Sequence, residues 1–285
     1  VNPALRDLPQ PSDEALAHSA KVARHLQEAI ASAGGRLPFA KFMDLALYAP
    51  GLGYYSAGAR KLGRDGDFIT APELTPLFGH VLARQLAELM AASERVVLEV
   101  GAGSGALAAS VLEQLEAMDA LPVQYLILEV SADLRERSRD TLAARVPHLL
   151  ERVAWLNRLP PTFAGVVIGN EVLDAMPAEV FRMSAAGVEE AAVSPAGDGF
   201  AWDWQPAPAA LGDAVTALKL PLPAGYTSEV SLAARGFVRS IAGIIDRGAA
   251  LFFDYGFPRR EYYHPQRAEG TLMCHYRHRA HADPF

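Results

Sequence analysis

The chain has 285 residues, of which 51% are hydrophobic, and a formal net charge of −7. That length and apolar content suffice for a full hydrophobic core, and the negative balance argues against a nucleic-acid backbone as the main partner. The single cysteine, Cys274, excludes an internal disulfide and fits a reducing compartment, with the cytoplasm as the default expectation.

Residues 1–7 show neither an apolar signal core nor a basic presequence, and no run approaches membrane-spanning length. Ser12-Asp13-Glu14-Ala15 reads as a helix N-cap followed by acids, and the helix runs to Ala33 before Gly34-Gly35 stops it. A second helix is expected from Pro38 to Tyr48, ending at Pro50-Gly51. The glycine-rich stretch from Gly51 through Gly63, Gly66 and Asp67 to Thr70 and Glu73 reads as a loop, and Leu77 to Ala92 as an amphipathic helix.

From Arg95 onward, strand and helix signals alternate. Strands are expected at Arg95–Val100, Gln124–Glu129, Arg152–Leu156, Gly165–Gly169 and Ala249–Asp254, with helices at Ala106–Met118, Ala132–Arg145 and Leu232–Arg247. Such alternation implies a parallel sheet with helices on both faces. Between Pro177 and Ser231, the segments Ala178–Met183, Gly187–Val193 and Phe200–Gln205 look like an inserted antiparallel meander, followed by an Ala/Pro-rich linker from Pro206 to Leu211.

The stretch Leu98-Glu99-Val100-Gly101-Ala102-Gly103-Ser104-Gly105 carries the most chemistry. Glycines after a strand let the backbone turn sharply and approach a ligand closely. A dinucleotide would fit G-x-G-x-x-G/A through Gly101, Gly103 and Ala106, so the glycines alone leave the ligand open. Glu99 separates the alternatives: a carboxylate about 6 Å from a pyrophosphate would repel it by roughly 3 kcal/mol at an effective dielectric near 20. A phosphate-free, cationic nucleoside gains where the pyrophosphate loses, which favours S-adenosylmethionine over NAD. Glu129 ends the next strand about two dozen residues past Gly105, near the spacing of an acid that accepts hydrogen bonds from ribose hydroxyls.

A second constellation ends the fourth strand. Asn170, Glu171 and Asp174 are expected to line the place where an acceptor atom enters, orienting or deprotonating it; helix capping accounts for the same letters. Asp254 and Tyr255 after the fifth strand are expected to wall the acceptor pocket, or else to form a simple turn with Gly256. The Cys274, His275, His278 and His281 cluster matches no closed tetrahedral set, so no metal is expected.

Five stretches together resemble the MidA-like family of class I S-adenosylmethionine-dependent methyltransferases, which includes the mitochondrial complex I assembly methyltransferase. They are Tyr48 to Tyr55, Gly66 to Glu73, Glu99 to Gly105, Asn170 to Ala175 and Phe253 to Gly256. The resemblance implies a Rossmann-like α/β fold with an N-terminal helical extension, S-adenosyl-L-methionine as donor and a protein arginine as acceptor, with a respiratory complex I core subunit as partner. It also places Gly63 to Glu73 near the cofactor; that segment is expected to be a lid whose Asp67 and Thr70 bind the cofactor and whose Glu73 binds the substrate, each meeting the methionine end or the substrate, or else an ordinary surface loop.

Glu171 and Glu179, eight residues apart, are similar to the paired glutamates that grip guanidinium in other arginine methyltransferases; a solvent-side strand position explains Glu179 equally well. The expected division is a helical and lid region at 1–93, a cofactor-binding core at 94–176 and 232–258, a substrate-side insertion at 177–231 and an incomplete segment at 259–285. Only about 30 residues follow Asp254, too few for the two further strands and the helix with which this fold closes, so those strands are expected to be missing. The rival readings are a non-catalytic assembly chaperone on the same fold and an NAD-dependent oxidoreductase.

Overall fold

The computed structural model describes residues 8–57 and 69–285. In chain order the elements begin with α1 (Asp13–Ser32), β1 (Leu37–Pro38), α2 (Phe39–Tyr48), α3 (Ala71–Leu74), α4 (Leu77–Ala92) and β2 (Val96–Val100). There follow α5 (Ala106–Ala117), β3 (Gln124–Leu128), α6 (Ala132–Arg145), β4 (Val153–Leu156), β5 (Phe163–Asn170), β6 (Glu179–Ser184), β7 (Gly187–Ala196) and β8 (Gly199–Pro206). The remainder comprises α7 (Ala209–Thr216), β9 (Thr227–Val230), α8 (Leu232–Ile244), β10 (Ile245–Phe253), α9 (Arg259–Tyr262), β11 (Cys274–Tyr276) and β12 (Arg279–His281). They fall into two compact units: residues 1–57, 176–235 and 256–285 form one, and residues 58–175 and 236–255 the other.

The second unit holds a five-stranded sheet in the order β10-β5-β2-β3-β4, every neighbouring pair parallel. Its strands are short apolar runs because both faces are covered. Val97, Tyr125, Ile127, Val166 and Ile168 point to one face, where Leu82 and Leu86 of α4, Val111 and Leu112 of α5, and Leu142 of α6 pack on them. Leu98, Val100 and Val167 point to the other face, against Ile241 of α8. The chain runs outward from β2 through β3 to β4, then returns to β5 and runs the other way to β10. The order therefore reverses between β2 and β5, where open α/β sheets bind ligands at their carboxyl ends.

The first unit is built around β7, which pairs antiparallel with β8 along one edge and with β6 and β1 along the other; β9 extends the sheet beyond β6. Leu26 and Ile30 of α1 and Phe39 and Phe42 of α2 cover Val180, Ala191 and Val193 on one face, and Leu211, Ala214 and Val215 of α7 cover Phe181 and Val230. The expected cap of α1 is present, with Ser12 Oγ accepting the Ala15 N–H at 3.2 Å.

Four local expectations are corrected. The helix expected to reach Arg247 stops at Ile244, since β10 begins at Ile245 to pair with Phe163. The stretch read as an Ala/Pro-rich linker ends inside helix α7, because Leu211 and Val215 bury a hydrophobic face that the preceding Pro206 and Pro208 obscure. Strand β9 was not expected: four residues are too short to show alternation, and pairing with β6 fixes it. Residues 71–74, expected within a loop, form the short helix α3.

Candidate active site

The register of the second unit lines up the chemistry. In the parallel ladder Val100 lies opposite Leu128 on one side and Gly169 on the other, and Asn170 lies opposite Phe253. Just past the last residue of each strand stand Asp254, Glu171, Gly101 and Glu129, in the spatial order β10-β5-β2-β3, with Asp254 and Glu171 one residue further along than Gly101 and Glu129. Strands about 4.8 Å apart put the outermost pair roughly 15 Å from one another.

The glycine turn has the backbone that its letters require. Gly101, Gly103 and Gly105 have φ of +68°, +54° and +81°. A Cβ on Gly101 would stand 3.0 Å from Val172 Cγ2, and one on Gly105 only 2.9 Å from the Cα of Ser138 on α6. The turn thus passes under the loop after β5 on one side and against α6 on the other.

Glu129 fastens the turn. It is 7% exposed; its Oε2 accepts the Gly103 N–H at 3.1 Å and its Oε1 the Ser131 N–H at 2.9 Å. Burial raises its pKa, and these backbone donors and Arg135 oppose the rise. Beyond it Val130 is 80% exposed.

Glu99 sits below the turn, in the core layer of β2. It is 1% exposed, and the hydroxyl of the fully buried Tyr125 donates to its Oε2 at 2.6 Å. Burial raises its pKa to about 7, the Tyr125 hydroxyl opposes the rise and the Glu129 carboxylate adds to it. An exposed carboxylate beside the turn would be permanently charged at this pH. Near neutral pH this one is only partly ionised, so its repulsion of a pyrophosphate is weaker than a full charge would give. Tyr125 was missed, although a polar-tipped ring in an otherwise aliphatic buried strand calls for a hydrogen-bond partner.

The loop after β5 gathers acids. Glu171 has φ of +50°, rare for a residue with a Cβ, and its N–H donates to Phe253 O at 2.8 Å, so β10 fixes the turn. Asp254 Oδ2 accepts the N–H groups of Leu173 at 2.9 Å and Asp174 at 3.2 Å. Tyr255 donates its hydroxyl to Asp174 Oδ2 at 2.5 Å, and Asn170 Nδ2 reaches Glu171 Oε1 at 3.5 Å. Burial first and the neighbouring Asp174 second raise the pKa values of Glu171 and Asp254; Asp254 in turn raises that of Glu171. The hydroxyl of Tyr255 is likewise pushed up, by burial and by Asp174.

Helix α3 meets this cluster, since the Ala71 N–H donates to the Glu171 carboxylate. Thr70 stands at its N-cap position without a side-chain hydrogen bond, and Glu73 Oε2 is buried without a hydrogen-bond partner among the described residues. Asp67, with Gly63 and Gly66 of the expected lid, lies outside the described residues.

Glu179 belongs to the first unit. Its Oε2 accepts the Leu232 N–H at 2.9 Å and Ser231 Oγ accepts that of Ala234, so the two residues cap α8; one of the oxygens expected to grip a guanidinium is thereby engaged. In the same unit Cys274 lies opposite His281 in the β11–β12 hairpin.

The turn fits a nucleoside carrying an amino-acid arm. Its three positive-φ glycines give it a backbone that a Cβ would strain, and Glu129 keeps further lone pairs beside them. Gly101, Gly103, Gly105 and Glu129 are the residues that would hold such a ligand.

Known proteins similar to this chain point to the same cofactor. A family model described as "Putative S-adenosyl-L-methionine-dependent methyltransferase" matches residues 81–285. A COG1565 superfamily member from Burkholderia thailandensis, solved in a crystal structure bound to S-adenosyl-homocysteine, is 50% identical with a TM-score of 0.92; the match covers 98% of this chain and 73% of that one. Among curated proteins, the Drosophila melanogaster protein arginine methyltransferase NDUFAF7 homolog, mitochondrial, is 28% identical over 280 residues, 88% of this chain and 64% of that protein. The Caenorhabditis elegans homolog is 29% identical over 189 residues, 58% of this chain and 44% of that protein. The chain therefore spans about half to two thirds of the length of these curated relatives. No described helix is long and apolar enough to cross a membrane.

Proposed function

Because the chain belongs to this family of S-adenosyl-L-methionine-dependent methyltransferases, we propose that it methylates a protein, with an arginine side chain as acceptor. The cofactor supplies an electrophilic methyl group when bound. The observation that carries the reading is the order of groups along one sheet edge: the glycine turn and Glu129 at β2 and β3, the acids Glu171, Asp174 and Asp254 at the neighbouring β5 and β10.

A cationic acceptor suits that neighbourhood. Glu171 and Asp174 offer carboxylate oxygens within four residues of one another, and no salt bridge among the described residues engages either. A planar guanidinium is best held by two such oxygens, which align its nitrogen and exclude rotation. Methylation of that nitrogen releases a proton, and Glu171, whose pKa is raised by burial and by Asp174, is the carboxylate of the cluster that reaches it to take that proton up. Asn170 reaches the same carboxyl group, and Asp254 and Tyr255 hold the loop that presents it.

The printed names of the curated relatives support arginine as the acceptor. A complex I core subunit, implied by the family resemblance, is the first acceptor to test, in a reducing compartment such as the cytoplasm. Labelled S-adenosyl-L-methionine should transfer its methyl group to arginine in that protein, and Glu171→Gln should lower kcat by a hundredfold or more while leaving cofactor binding intact. Cofactor binding with no transfer to any arginine-bearing acceptor would favour the chaperone reading instead.

A further inference from the structure

We propose that the buried Glu99–Tyr125 pair is a charge sensor beneath the cofactor turn, making the site favour the cationic methyl donor over the neutral thioether left after transfer. The proposal rests on the reading that S-adenosyl-L-methionine occupies the Gly101–Gly105 turn. It assigns Tyr125 a positioning role and Glu99 a discriminating one.

The geometry begins with isolation. Glu99 and Tyr125 are 1% and 0% exposed, on neighbouring strands, with a hydroxyl-to-carboxylate distance of 2.6 Å. The hydrophobic side chains buried on this face come from Val166 and Ile168 of β5, Leu82 and Leu86 of α4 and Val111 of α5, and the buried polar side chains of the covering helices are the uncharged Ser110 and Ser138. The charged residues of those helices are engaged elsewhere or exposed. Glu113 pairs with Arg145 and Glu116 with His148, while Arg84 and Glu88 lie on the outer face of α4. The groups that act on the Glu99 carboxyl are the Tyr125 hydroxyl and the Glu129 carboxylate, and Arg135 acts on Glu129. No cation among these groups bears on Glu99 itself.

An acid in such a place is poised between its two forms near neutral pH. Any cation seated in the turn two residues ahead favours the ionised form. Transfer of the methyl group turns a sulfonium into a thioether and removes one positive charge from the ligand. At an effective dielectric near 20, a unit charge about 10 Å away shifts a carboxyl group by about one pH unit. The donor therefore gains affinity as Glu99 ionises, and the product does not. With a shift of that size the donor's advantage over product should grow about fivefold between pH 6 and pH 8, and donor binding at pH 7 should release about 0.4 proton from Glu99.

Tyr125 sets where this happens. Its hydroxyl is the one described contact that favours the ionised carboxylate, so its loss should move the transition to higher pH.

The test is calorimetric titration of the whole chain with S-adenosyl-L-methionine and with S-adenosyl-homocysteine at pH 6, 7 and 8, in buffers of different ionisation enthalpy. Wild type should show the fivefold change in affinity ratio. Glu99→Gln, which keeps the shape and an acceptor oxygen, should leave only the dependence due to ligand ionisation, and Tyr125→Phe should retain the change with an alkaline-shifted midpoint. Thermal melting of each variant checks that it is folded. Equal slopes in wild type and Glu99→Gln, or a midpoint unmoved in Tyr125→Phe, would overturn the proposal while both ligands still bind. Failure of either ligand to bind would overturn the cofactor reading and this proposal with it.

Discussion

Raising the pH from 5 to 8 should cost the protein about 2 to 3 kcal/mol of folding stability through Glu99 alone. Its carboxyl titrates near 4.5 in an unfolded chain and at about 7 when folded. The folded value is the higher one, so folding takes up a proton there; the contribution is fully present below about pH 4.5 and is lost as pH rises through about 7. A shift of about two and a half units corresponds to about 3 kcal/mol over the whole range, nearly all of it falling between pH 5 and 8. Because Glu99 is fully buried, solvent screening does not reduce the figure. Burial also raises Glu129, Glu171, Glu179 and Asp254, which add slopes of the same sign. Urea unfolding at half-unit pH steps should therefore give a wild-type stability that falls with pH, and Glu99→Gln should flatten the part centred near 7. If the two curves ran parallel across that range, or if wild type gained stability toward pH 8, the burial argument would be refuted.

Two further outcomes follow from particular contacts. Asp254→Ala removes the acceptor of two backbone N–H groups, about 2 kcal/mol of hold on the loop after β5, whereas Asp254→Asn keeps one acceptor oxygen and should lose about half as much; steady-state kcat should fall in that order, and equal losses would show that the charge rather than the acceptor matters. Gly105→Ala and Gly34→Ala place a Cβ at nearly the same φ, +81° and +85°, yet only the first meets backbone, at 2.9 Å from Ser138 Cα. Both should destabilise by about 1 to 2 kcal/mol from conformation, and Gly105→Ala by at least 1 kcal/mol more, read as a lower urea midpoint.

Much of the fold was legible because its signals are local. Ser12 announced the start of α1, the strands of the parallel sheet stood out as short apolar runs between helices, and the glycine turn could be placed to the residue. What was not legible depended on partners distant in sequence. Strand β9 has too few residues to show a period of its own, and β10 claims Ile245 to Arg247 from an otherwise helical pattern by pairing with β5. Tyr125 was passed over because its partner lies on another strand, 26 residues away.

By itself the sequence determined the α/β class, the three-glycine turn and the acids grouped near Glu171, since periodicity, positive φ and residue chemistry are properties of neighbours along the chain. The tertiary structure alone decided that Asp254, Glu171, Gly101 and Glu129 share one sheet edge, because strand order and register are set by pairings across long separations. It also decided the state of Glu99. A carboxyl group's charge depends on the water and partners around it, and those are fixed only when β2, β3 and the helices close over it.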